Sequence, residues 1–231
     1  MCAQQGNETA GDNEANQAHE NSGTKMAALM LAEKLFILTI DDERGDMPAS
    51  VRANLRYGLA GALLAELTLC NKFQLEKGRL VLIDPTPMHD KMLDEVMGKV
   101  ALEKKTHKVI YWVEAIGSRQ IVRQVAERLA SRNIINIEKQ RYPWLSTSIA
   151  YPQVDGSAKY WVKQRLREMI LANEETGVED TILFSLLKAC QLLKFVFTSD
   201  EQRSATRKVE VIVKDEVFGK SVAKLLEKRR S

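Results

Sequence analysis

Arg52 and Arg56 stand four residues apart where a helix-forming stretch opens, and Arg119 and Arg123 repeat that spacing just after Gly117-Ser118. Residues four apart share one face of a helix. The free backbone N–H groups of a helix N-terminus already favour an anion. Two such ends, each with two guanidiniums, have the chemistry of a phosphate cradle once a fold brings them together. Taken singly, arginines in first turns also read as solvated, or as paired with acids such as Glu114 and Glu127.

Catalytic chemistry has no comparable constellation. His19 lies in a polar tail, His89 in a Pro-rich loop and His107 beside lysines, none with a partner at zinc-ligand spacing. The chain lacks a phosphate-binding Gly-rich loop, a Gly-x-Ser-x-Gly elbow and an HExxH motif. Asp41, Asp42, Glu43 and Asp46 read as a solvated acidic loop, because their spacing is not that of an EF-hand. Glu66, inside an apolar helix, reads as pairing with an arginine or capping a backbone group. Cys70 and Cys190 sit in apolar helical contexts and read as buried free thiols. The expectation is a protein that is not an enzyme, with no cofactor and no metal.

Tyr142-Pro143-Trp144-Leu145, beside Lys139 and Arg141, is the second feature with chemistry in it. Exposed at a tip, Tyr142, Trp144 and Leu145 would meet a membrane interface, aromatics at headgroup depth and arginine outside. Folded back, they would pack on their own helices or make a homo-oligomer contact. Basic residues near an anionic surface contribute about 1 kcal/mol each, so four arginines give only roughly millimolar attachment. A second element is needed for stable binding: a headgroup pocket, an inserted tip or oligomerisation.

These residues need elements to position them. From Gly58 to Ala65 no side chain is polar, and a helix apolar all round belongs inside a protein or a membrane. Eight such residues cannot span a bilayer, which takes about 20. Ser50–Leu69 therefore reads as a central core helix, and the apolar run Thr181–Phe197 as a second. Helical periodicity also marks Met26–Ile40, Lys91–Leu102, Ser118–Arg132, Gly156–Ile170, Asp200–Lys214 and Val217–Arg229. Val109–Ile116 is a short apolar segment around Trp112. Period-two alternation predicts a β-hairpin over Lys72–Leu82 and a second over Ile134–Tyr151, turning at Lys139–Pro143. The fold class is mainly α, a helical bundle around two central apolar helices with two peripheral hairpins.

The first 25 residues are set apart by composition, with no Val, Ile, Leu or aromatic residue. They read as a disordered polar tail, followed by a single domain over 26–231. The tail holds four acids against Lys25, a formal −3; the whole chain is +3, so the rest carries +6. That balance suits anionic partners. With no apolar h-region at the N-terminus, the expected compartment is cytoplasmic.

Leu31-Ala32-Glu33-Lys34-Leu35-Phe36-Ile37-Leu38-Thr39-Ile40-Asp41-Asp42-Glu43-Arg44-Gly45 is followed by Gly58-Leu59-Ala60-Gly61-Ala62-Leu63-Leu64-Ala65-Glu66-Leu67. Phe73-Gln74-Leu75-Glu76, Leu93-Asp94-Glu95-Val96 and Arg128-Leu129-Ala130 come next. In order and spacing the chain resembles the Golgi phosphoprotein 3 family from about Leu31 onward. The resemblance implies a peripheral protein of the cytosolic membrane face, on the Golgi in a eukaryote, that binds phosphatidylinositol 4-phosphate and helps retain glycosyltransferases through their cytosolic tails. It also implies a headgroup pocket of one aromatic residue and several arginines near the two helices above. Where the family has Gly-Leu-Arg-Gly, this chain has Gly58-Leu59-Ala60-Gly61, and the pocket aromatic falls at about Val51. Arg119 takes the place of one family arginine, and Val122 stands three residues on where the family has another. Arg52, Arg56 and Arg123 lie within a turn of the lost positions and are the expected substitutes.

The alternative is nucleic acid: helix 118–132 followed by a hairpin has the order of a winged helix. Lys220, Lys224, Lys228, Arg229 and Arg230 would then track phosphates. No dense basic stripe lies opposite Ile121 and Val125, so no nucleic-acid partner is expected. A third reading is a protein adaptor without lipid binding.

Overall fold

The computed structural model describes residues 29–142 and 145–230, apart from the side chains of 140–148. The tail expected at Met1–Lys25, the Trp144 position and the side chains of Tyr142 and Leu145 lie outside the described residues.

In chain order the elements are α1 (Leu31–Ile37), α2 (Ala49–Leu69), β1 (Phe73–Glu76), β2 (Arg79–Leu82), α3 (Lys91–Ala101), β3 (His107–Lys108) and α4 (Val109–Ile116). Then follow α5 (Arg119–Ser131), β4 (Glu138–Tyr142), β5 (Leu145–Ala150), α6 (Ser157–Leu171), α7 (Val178–Ala189), a 3-10 turn (Leu193–Phe195), α8 (Ser199–Ile212) and α9 (Val217–Lys228). The fold is mainly α. β1, β2 and β3 form one antiparallel sheet, and β4 and β5 form a separate hairpin.

The core is one cluster built around α2, whose residues Leu59, Ala60, Ala62, Leu63, Leu64 and Ala65 are all fully buried. Its small residues let neighbours approach: a Cβ on Gly61 would lie 2.9 Å from both Leu186 of α7 and Val222 of α9. α7 is the second central helix but ends at Ala189, short of the expected Phe197. Gln191 turns into the left-handed region at φ 61°, which breaks the helical ladder. Thr198 then starts α8 through a reciprocal cap in which Glu201 accepts the Thr198 N–H at 2.9 Å. Glu201 also takes two bonds of 2.6 Å from Arg167, and that guanidinium holds its carboxyl down to about 2.

Three further expectations change. Of the expected Met26–Ile40, residues 26–28 lie outside the described residues, and within the rest the opening helix covers Leu31–Ile37. Lys139 is paired with Ile149 inside the second hairpin rather than turning, and the strands close at Tyr142↔Leu145. Cys70 is exposed, because it caps the solvent end of α2. Cys190 is buried, as expected, and burial pushes its thiol up to about 12. Sequence alternation also missed β3, too short at two residues to show a period, which pairs Arg79 with Lys108 and Leu80 with His107.

Glu66 caps a backbone group: its Oε2 accepts the Leu31 N–H at 2.9 Å. Burial, reinforced by the nearby charges of Glu179 and Glu33, raises its pKa above the ordinary 4.5, against the opposing pull of that bond and of Lys34. A carboxyl raised on folding adds stability below its unfolded pKa and loses it as pH rises through the folded one. Glu66→Gln, which keeps an acceptor and carries no charge, is therefore expected to be more stable than the natural protein at pH 7. Melting both proteins from pH 4 to pH 8 checks this. The gap should close toward pH 4, and a gap that widens there refutes the assignment.

Candidate functional site

The third turn of α2 meets the connection that leads into α5 at Tyr57. This residue is buried, and its ring lies on the α4–α5 connection. A Cβ on Gly117 would fall 2.4 Å from Tyr57 Cδ1 and 2.7 Å from the Val113 carbonyl, so only glycine allows the approach. Ser118 is the N-cap of α5, extended at φ −111° and ψ 167°, and its side chain makes no capping bond. Arg119, the first residue of the helix, is exposed beside that uncapped end. The positive end of the helix dipole therefore lies at the residue that carries this charge.

Two more guanidiniums rest on the Tyr57 ring. Arg56 Cζ is 4.5 Å from the ring centroid and Arg229 Cζ is 5.1 Å from it, so the two cations lie within about 10 Å of each other. Stacking on an aromatic face suits a planar guanidinium and fixes its orientation. Arg56 Nε is buried and has no hydrogen-bond partner. Arg229, at the C-cap of α9, donates Nη2 to Glu114 Oε1 of α4 at 2.8 Å. Glu114 thus neutralises part of this cluster. Like charges held this close repel, and an anion with several acceptor oxygens would bridge them by charge-assisted hydrogen bonds.

Of the four arginines singled out by spacing, Arg56 stacks on Tyr57, and Arg119 opens the helix that follows Gly117, on which Tyr57 packs. Arg52, although exposed, turns back on the preceding loop and donates Nη2 to the Met47 carbonyl at 2.9 Å. Its charge lies near Tyr151, whose hydroxyl is raised by burial and pulled back by Arg52. Arg123 lies one turn beyond Arg119 and bonds Glu127 at 2.7 Å, which raises its own pKa. Sequence reasoning did not single out Tyr57 or assign Glu114 its partner, and it placed Arg229 only in a basic C-terminal run. A tyrosine directly after Arg56 carries no spacing signal, since adjacent residues on a helix do not face each other.

Val51, Ala60 and Val122, three positions at which the resemblance expected pocket residues, are all buried in the core, whereas Arg119 is exposed. Apolar side chains there pack α2 against its neighbours, and the cations stand at the surface one turn away. The solvent face of α5, which a winged helix would lay in a groove, carries the Arg123–Glu127 pair and Gln124 bonded to Glu95 at 2.8 Å.

Elsewhere, an open cleft of about 740 Å³ at the start of α6 is lined by Asp42, Gln153, Lys159, Tyr160 and Lys163 among others. Its buried Lys159 ammonium is already used, donating to the Ile40 carbonyl and to Asp42, each at 2.5 Å. Among the described residues no His, Cys, Asp and Glu side chains gather as a metal site. No described helix is long and apolar enough to cross a membrane. A family model described as Golgi phosphoprotein 3 (GPP34) matches residues 31–229, nearly all of the described fold, and the chain belongs to the Golgi phosphoprotein 3 family.

Proposed function

We propose that this protein is a non-catalytic peripheral membrane protein that binds the phosphate of an anionic lipid headgroup at the Tyr57 cluster. Phosphatidylinositol 4-phosphate is the first lipid to test, given the family. The proposed ligands are Arg56, Arg119 and Arg229, with Arg52 and Arg123 flanking them. The observation that carries this reading is the pair of guanidiniums stacked on one buried tyrosine, beside an uncapped helix N-terminus that bears a third. Membership of the family supports the cytosolic face of the Golgi as the place of action in a eukaryote, with cytosolic tails of membrane proteins as further partners.

Co-sedimentation with neutral, phosphatidylserine and phosphatidylinositol 4-phosphate vesicles at physiological salt tests the proposal. The natural protein is expected to pellet with the inositide. Arg56→Ala with Arg119→Ala is expected to weaken that binding at least tenfold, since each lost charge is worth about 1 kcal/mol at an anionic surface. Its thermal stability should change little, both side chains being at least partly exposed. Arg203→Ala with Arg207→Ala, the same loss of charge on α8, should bind like the natural protein. Equal binding by the Arg56/Arg119 variant removes the site from the proposal. If the natural protein pellets with none of the vesicles, lipid binding falls with it.

A further inference from the structure

Headgroup binding by a few surface arginines is weak, and a second point of contact is needed for stable attachment. The turn between α3 and β3 offers one. Leu102, the C-cap of α3, is 86% exposed, the most exposed of the large apolar residues described. Lys104 and Lys105 follow it, both exposed, and Lys108 is exposed on β3. This turn is not a loose loop. Arg79 donates Nη1 to the Thr106 carbonyl at 2.6 Å, β3 pairs with β2, and the Val109 N–H reaches the Gly78 carbonyl at 3.3 Å. His107 is stacked on Tyr111, ring centroids 3.8 Å apart and planes 16° apart, which leaves Tyr111 42% exposed. A projecting leucine is therefore held beside lysines, in a turn that leads into the stacked His107–Tyr111 pair.

The position of this turn matters as much as its composition. Tyr111 and Glu114 are three residues apart on the exposed side of α4, and Glu114 holds Arg229 on Tyr57. One short helix thus joins the turn to the cation cluster along a single outward face.

We infer that the turn carrying Leu102, Lys104 and Lys105 is a second membrane contact, which docks on an anionic bilayer while the Tyr57 cluster holds a headgroup. The occupant follows from charge complementarity. Lysines meet the anionic headgroup layer, Leu102 enters the acyl boundary, and Tyr111 sits at the depth aromatic rings prefer. Glu103 is the acid within the turn and lies 3.9 Å from His107 Nε2, on the side of the aromatic stack. The inference rests on the headgroup reading of the Tyr57 cluster.

Two measurements on the full chain separate it from that reading. Lys104→Glu with Lys105→Glu is expected to lower affinity for vesicles containing phosphatidylserine and phosphatidylinositol 4-phosphate at least tenfold. Binding of soluble inositol 1,4-bisphosphate should stay within twofold of the natural protein. Leu102→Trp, at an exposed position that leaves the core untouched, should give a blue-shifted emission with those vesicles and none with the soluble headgroup. Vesicle binding by the charge-reversal variant equal to the natural protein overturns the second contact while the headgroup site stands. So does an emission of the Leu102→Trp variant that is unmoved by vesicles that sediment the protein. A blue shift that grows with protein concentration in the absence of vesicles also overturns it, by making the occupant a second copy of this chain. If neither vesicles nor soluble headgroup bind the natural protein, the headgroup reading fails and the second contact with it.

Discussion

Replacing Glu33 by alanine is expected to lower the melting temperature by roughly 6–20 °C. Glu33 is fully buried and serves two donors, with a third cation beside it. Its carboxylate accepts the Met30 N–H at 2.9 Å and Arg132 Nη1 at 2.9 and 3.1 Å. Arg128 Nε lies 3.3 Å from Oε1 but off the hydrogen-bonding direction, and Arg128 Nη1 also reaches Asp90. Asp90 in turn caps α3, accepting the Met92 and Leu93 N–H groups at 3.1 Å. Glu33 thus joins the start of α1 to the end of α5, and Arg128 extends the link through Asp90 to the start of α3. Removing a single partner of a buried ion pair leaves uncompensated charge and costs about 3–5 kcal/mol. In a domain of this size each kcal/mol moves the midpoint by about 2–4 °C. Glu33→Gln keeps an acceptor for the Met30 N–H and should lose less. A drop under about 2 °C for Glu33→Ala would show that Arg128 and Arg132, whose side chains are 32% and 26% exposed, escape to water instead.

The second large effect concerns the crossing of α7 and α9. A Cβ added to Gly219 would lie 2.0 Å from Ser185 Oγ and 2.6 Å from both the carbonyl carbon and the carbonyl oxygen of Ser185. The hydroxyl can rotate away, but the backbone of a central helix cannot. Gly219→Ala must therefore force the two helices apart, and overpacking of this kind costs about 1–3 kcal/mol. The expected loss is at the upper end, roughly 6–12 °C in melting temperature. Gly98→Ala gives the contrast, because nothing lies within 4 Å of its added Cβ. There the better helix propensity of alanine should stabilise by about 0.5–1 kcal/mol. Equal melting temperatures for Gly219→Ala and the natural protein would mean that α9 is free to slide. Binding measurements with Gly219→Ala would then be informative too, since α9 carries Arg229 at its end.

Much of the architecture was legible because it is local. The all-apolar run at Gly58–Ala65 names a core helix by itself, since each turn of a helix repeats every 3.6 residues and no face was left for water. The helices expected over Lys91–Leu102, Ser118–Arg132 and Val217–Arg229 and the hairpin expected over Lys72–Leu82 rest on residues within a turn of one another. Where a boundary depended on something distant, local pattern overran it. The apolar run of α7 continues to Phe197 because those residues are also buried, yet the helix stops at Ala189. Burial alone does not distinguish a helix from the turn that packs beside it.

The chain by itself determined the helical class, the position of α2 inside and the motif order that marks its family. Tertiary structure alone decided which cations share a surface. Arg56 meets Arg229, from the far end of the chain, on the ring of Tyr57, and that ring packs on Gly117 before the helix that Arg119 opens. Glu33 finds Arg132 across 99 residues in the same way. Spacing along one helix reports what lies three or four residues away. Contacts between helices depend on crossing geometry set by small residues such as Gly61, Gly117 and Gly219, and one sequence carries no period that reports those meetings.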